Sequence, residues 1–253
     1  LPARIRELPI VAKIIDELNI KKACVEDVWQ DMFLSEYKKM IKEEILQIGD
    51  LIPTPEVIEV ARKELKPDEI LILLVIDGMS YESFAFKMRP LLQKYGFELV
   101  KECIGISLIP SITNHSRRAI FLKDIPSEFF KSRKDISEER SIPSERDLLD
   151  QVYYGAFLYK HFKYSVSDAI TWFLTRFEPR KDQDLIAIVI QSLEKIQHGA
   201  SEETIARITR EFAESIMRLL LVIRDKLRSA GIKPLIVITS DHGLVKGVKD
   251  TVE

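Results

Sequence analysis

The sequence predicts an α/β fold: a doubly wound, mostly parallel sheet with helices on both faces, joined to a helical N-terminal subdomain and carrying a helical insertion. Three observations predict it. Ile70 to Ile76 is an unbroken apolar run of strand length, and Asp184 to Ile190 and Pro234 to Ser240 repeat the pattern; strands buried on both faces of a parallel sheet have this composition. Segments of helical period separate the runs, as strand-helix alternation in a parallel sheet requires. Two of the runs stop at polar groups, Asp77-Gly78 and Asp241-His242-Gly243, and ligands in open α/β sheets gather at the carboxyl ends of strands.

Each element follows in order. Over residues 1–66 apolar side chains recur at three- and four-residue intervals, as in Ile10, Ile14, Ile15 and Leu18, which predicts three or four helices forming a packing subdomain. The last is expected to begin with Thr54 as its cap, Pro55 in the first turn and Glu56 at the positive end of the helix. Lys66-Pro67-Asp68 breaks the period, so the core is taken as residues 67–253. After the first strand, Tyr81 to Tyr95 reads as helix, Phe97 to Ile106 as extended, and Ser116 to Leu122 as helix again. Residues 125–182 are highly charged and helical in pattern, with a break at Ser141-Ile142-Pro143-Ser144; they are expected to form an insertion or cap over the sheet. Ser201 to Ser229 predicts a long amphipathic helix with Ser201 as cap and Gly231 near its end.

The 253 residues suffice for one large domain or a core with an accessory subdomain. Hydrophobic residues at 46%, charged residues at 31% and only nine Gly describe a globular, helix-rich chain rather than a disordered or fibrous one. A formal net charge of -2 removes the simplest case for a nucleic-acid backbone binder. Cys24 and Cys103 have no ligand-like spacing and read as small buried hydrophobes of a reducing compartment. No segment holds the roughly 18–20 apolar residues of a membrane span, and no charged-then-apolar leader opens the chain, so a soluble, cytoplasmic protein without membrane partners is expected.

Four groups can carry chemistry. Asp77 ends the first strand. Asp241 and His242 place a carboxylate and an imidazole side by side on rigid backbone, two donors suited to a borderline cation. Glu194 and His198 are four residues apart, on one face if their segment is helical. Thr113-Asn114-His115-Ser116-Arg117 sets a hydroxyl close to a cation, a nucleophile and charge clamp for a phosphoryl group; a divalent ion can activate such a hydroxyl. His161 has no partner pattern and reads as a surface or packing residue, and His115 lies in the nucleophile turn without matching a metal-ligand position. A haloacid-dehalogenase reading of Asp77 is set aside because Met79 stands where a second acid is needed. The nucleophile elbow Gly-x-Ser-x-Gly of serine hydrolases is absent from the sequence.

Their order resembles the alkaline phosphatase superfamily, and Leu108 to Phe121 is most similar to the PglZ domain of phage-defence systems and some response regulators. The resemblance runs from about Ile70 to Gly243. It implies an alkaline-phosphatase-like core in which Asp77, Thr113, Asp241 and His242 surround one divalent ion and Glu194 and His198 contribute to a second. It implies Thr113 as nucleophile, with Arg117 and Ser116 as binders of the phosphoryl group; zinc suits the mixed carboxylate and imidazole set, with manganese or magnesium as substitutes. The Thr-x-x-Ser-Arg segment is also similar to that of sulfatases, with Thr in place of their modified Cys, which favours phosphate. The implied activity is a phosphodiesterase of nucleotide-type phosphate esters or nucleic acid, in phage defence or signalling. Two departures stand out: Glu194 replaces the usual Asp, and no His follows His242 to supply the family's further ligand, as in a core truncated at its C-terminus. They support a second reading, a scaffold or binding module of a larger defence or signalling assembly.

Overall fold

The computed structural model of the chain describes residues 51–107, 113–122, 143–191 and 202–243. Strands β1 (Leu51–Pro53), β2 (Glu69–Ile76), β3 (Ile104–Ile106), β4 (Phe157–Phe162), β5 (Leu185–Ile190) and β6 (Lys233–Thr239) alternate with helices. The helices are α1 (Val57–Glu64), α2 (Tyr81–Ser83), α3 (Arg89–Lys94), α4 (Thr113–Ile120), α5 (Glu145–Tyr153), α6 (Val166–Thr175) and α7 (Glu202–Ser229), with one π-helical segment, Phe84–Met88, joining α2 to α3.

Four strands form the main sheet in the order β4-β5-β2-β6, and every pairing in it is parallel. All six residues of β5 are buried, and all but the first of β2, which accounts for their continuous apolar sequence: alternate side chains enter opposite cores. Ile70, Ile72, Leu74 and Ile76 pack with α6 and α7, whereas Leu71, Leu73 and Val75 pack with α1, α4 and α5. Helices thus cover both faces, as the sequence predicts. On α7 the buried Phe212, Ile216, Ile223 and Leu227 fall at helical spacing, and each such side chain contributes about 1.5–3 kcal/mol by leaving water. Truncating Ile223, fully buried beneath the sheet, is the kind of change that costs roughly 2–5 kcal/mol.

Three expectations change. Thr54 does not cap a helix: a 3-10 turn, Thr54–Glu56, leads into α1 without a side-chain cap, and the three residues before it are extended because β1 pairs in parallel with β3. Between Phe97 and Cys103 the chain has no regular structure, and only β3 realises the extended stretch. The larger change concerns the expected helical insertion. Residues 157–162 form β4, which pairs with β5 in register from Phe157↔Leu185 to Phe162↔Ile190, so this part of the stretch belongs to the sheet. Side chains on its two faces meet different partners. Lys160 sits over the Trp172 ring at 4.5 Å on one face, while Tyr159 packs against the opposite core. No helix among the described residues is long and apolar enough to cross a membrane.

Candidate metal centre

The site is built where β2 and β6, hydrogen-bonded neighbours, end together. Val75 is in register with Thr239, so Asp77 and Asp241 leave the sheet side by side. Gly78 turns the chain at a positive φ of 73°, a conformation that side chains with a Cβ disfavour, and its N–H donates to Asp241 Oδ1 at 3.2 Å. Ser240 ties the two ends: its hydroxyl accepts from the Met79 N–H at 3.0 Å and lies 2.7 Å from the Ile76 carbonyl. The Asp77 N–H donates to the Ile190 carbonyl of β5 at 2.9 Å. Ser107 donates to the Asp241 carbonyl at 2.6 Å. Three strand ends are therefore cross-braced before any ligand is considered.

Asp77 and Asp241 are fully buried. His242 Nε2 lies 3.5 Å from Asp77 Oδ1 and 3.8 Å from Asp241 Oδ2, and His242 Nδ1 is 3.3 Å from the Gly243 carbonyl. A proton on Nδ1 donated to that carbonyl leaves the Nε2 lone pair for a cation. One ligand atom from each of Asp77, Asp241 and His242 falls within 4.8 Å of the others. Asp241 Oδ1 accepts from Gly78 and from the His242 N–H at 3.0 Å, but Oδ2 is buried with no hydrogen-bond partner among the described residues. Burial pushes the Asp241 carboxyl above the ordinary carboxylate range; the nearby His242, the Gly78 N–H and Arg117 offset this only in part. Two buried carboxylates and a half-buried imidazole, convergent and with an oxygen still to be satisfied, fit a divalent cation.

A second polar group adjoins the first. Arg117, buried on α4, donates from Nη1 to Asp77 Oδ2 at 3.3 Å and from Nε to Glu145 Oε1. The other Glu145 oxygen accepts from the Tyr159 hydroxyl of β4. Burial alone would lower the Arg117 pKa, but the Glu145 and Asp77 carboxylates outweigh it and hold the guanidinium charged. Burial, with Glu145 adding, raises the Tyr159 phenol, which stays a donor. His161, two residues along β4, is half-buried; burial first and Arg117 second push its pKa down.

The structure thus brings together Asp77, Asp241, His242 and Arg117 of the expected set. Thr113 is the first residue of α4, one turn before Arg117, and Ser116 is buried on the same helix. Glu194 and His198 lie outside the described residues. Glu145 and Tyr159 escape sequence reasoning. Glu145 looks like an ordinary acid in a first helical turn, beside the capping box that Ser144 and Asp147 form. The alternation Tyr159-Lys160-His161, one polar side chain between two aromatic ones, was the available signal that this segment is a strand. A groove of about 490 Å³ along the outer edge of β6 contains none of these residues.

The profile of one family, described as the BREX system PglZ alkaline phosphatase-like domain, matches residues 58–252 of the chain. None of the curated proteins compared with the chain matches it.

Proposed function

This chain belongs to the PglZ family of alkaline phosphatase-like domains, and from that premise we propose that it is a metal-dependent phosphohydrolase, a phosphodiesterase of nucleotide-type phosphate esters with Thr113 as nucleophile. The observation that carries the reading is the convergence of Asp77, Asp241 and His242 within 4.8 Å of one another, at the ends of two adjacent parallel strands and beside a charged arginine.

Asp77, Asp241 and His242 would hold one divalent ion, zinc by the mixed donor set, with manganese or magnesium able to replace it. Bound there, it would supply Lewis-acid polarisation and favour an ionised hydroxyl. The chain's own residues do the rest. Thr113 opens α4 one turn before Arg117, a spacing suited to a nucleophile and a cation that serve one phosphoryl group. Arg117 offers a guanidinium for phosphoryl oxygens, and Ser116 a hydroxyl. The rigid strand ends keep the donors oriented and the buried setting strengthens their fields. Glu194 and His198 would contribute to a second ion: Ile190, which receives the Asp77 N–H, is four residues before Glu194. A role in phage defence or signalling belongs to the same reading.

The test is turnover of bis(p-nitrophenyl) phosphate and p-nitrophenyl phosphate with zinc or manganese. Thr113→Ala is expected to bring turnover to background while metal affinity stays within about twofold. Undiminished turnover would remove Thr113 as nucleophile. Metal binding without turnover of any ester by the unaltered chain would favour the scaffold module instead.

A further inference from the structure

Arg117 shares its charge between two carboxylates with different jobs. Asp77 belongs to the metal cluster; Glu145 does not. The guanidinium gives Asp77 a single contact, Nη1 to Oδ2 at 3.3 Å, and turns its Nε edge to Glu145. Glu145 is itself fixed from two sides. It sits in the first turn of α5, whose start is held by the reciprocal Ser144–Asp147 capping box, and its second oxygen receives the Tyr159 hydroxyl from β4. Arg117 and Glu145 are buried and Tyr159 is half-buried, so the contacts are shielded from water and stronger than at the surface. A guanidinium released from Glu145 would keep Asp77 as its nearest carboxylate and could meet it with two donors, the geometry arginine favours. It would then compete directly with a cation for Asp77.

We propose that Glu145, steadied by Tyr159, is a positioning residue that holds Arg117 partly off Asp77 and thereby keeps the Asp77–Asp241–His242 cluster open to a divalent cation. The proposal rests on the phosphoesterase reading for the existence of that cation. What it adds is a control on the site from β4 and α5, elements that supply no metal ligand among the described residues.

The experiment is manganese and zinc titration calorimetry on the full chain and four variants: Glu145→Ala, Tyr159→Phe, Arg117→Met, and Glu145→Ala combined with Arg117→Met. Glu145→Ala is expected to weaken metal binding about tenfold when Arg117 is present and no more than about twofold when it is replaced, because the effect passes through the guanidinium. Tyr159→Phe, which leaves every charge in place, is expected to weaken binding about threefold. Should Arg117→Met prove unfolded by circular dichroism, Tyr159→Phe and Glu145→Ala in the unaltered background decide the matter. Equal losses with and without Arg117 overturn the proposal in favour of simple charge. Affinity unmoved by both Glu145→Ala and Tyr159→Phe overturns it as well, while leaving the metal site standing. No metal binding by the unaltered chain overturns both this proposal and the phosphoesterase reading.

Discussion

Two corners of the same sheet edge treat buried charge in opposite ways. Where β4 meets α4 and α5, Arg117 is matched by Glu145 and Asp77, and Glu145 is completed by Tyr159. Where β2 and β6 end, Asp241 is buried with an oxygen that has no hydrogen-bond partner among the described residues, and burial raises its pKa. The first corner is a closed network of the kind that rigidifies a fold. The second carries a cost that a cation or a proton would relieve. The contrast teaches that within one buried polar cluster, ligand-binding capacity sits where satisfaction stops, and the satisfied part serves as its frame.

The largest effect expected is in the matched corner. Arg117→Met leaves Glu145 and Asp77 buried without their counter-charge and should destabilise the chain by about 3–5 kcal/mol, read from denaturant unfolding at neutral pH. A loss under about 1 kcal/mol would mean the network is looser than its contacts indicate. Tyr159→Phe removes one hydrogen bond to a charged acceptor and should cost roughly 1.5–3 kcal/mol by the same measurement.

In the other corner the sign reverses. Because burial holds the folded Asp241 pKa above its unfolded value, its protonated form favours folding below the ordinary carboxylate range. That contribution is lost as pH rises through the raised folded value. Asp241→Asn keeps an acceptor for the Gly78 and His242 N–H groups and removes the titration. It should therefore raise the metal-free melting temperature at neutral pH, and its advantage over the unaltered chain should shrink as pH falls to about 4. A gain of order 1 kcal/mol would appear as roughly 2–4 °C. An advantage independent of pH would contradict the assignment.

The same contrast separates what the sequence shows from what it hides. Asp77, Asp241 and His242 stand at the ends of apolar runs whose strand character follows from composition, and parallel pairing of those runs brings their ends together. Local pattern and topology therefore suffice for this corner. Glu145 lies 28 residues from Arg117, and neither residue carries a pattern that points to the other. They meet directly between α4 and α5, with Tyr159 of β4 on the other Glu145 oxygen, and the charged surroundings of residues 157–162 mask a strand that lies at the sheet edge among the described residues and is only partly buried on its faces. An edge strand lacks the unbroken apolar run that marks β2 and β5. Thr54 fails as a cap for a related reason: the strand pairing of β1 with β3 overrides the local preference.

The central claim is that Asp77, Asp241 and His242 bind a divalent cation, and calorimetric titration of zinc and manganese into the chain, beside Asp241→Ala, tests it most directly. The account predicts specific binding of at least one ion that is lost or weakened at least about tenfold in the variant. Specific binding that Asp241→Ala leaves unchanged, or no specific binding at all, would contradict it.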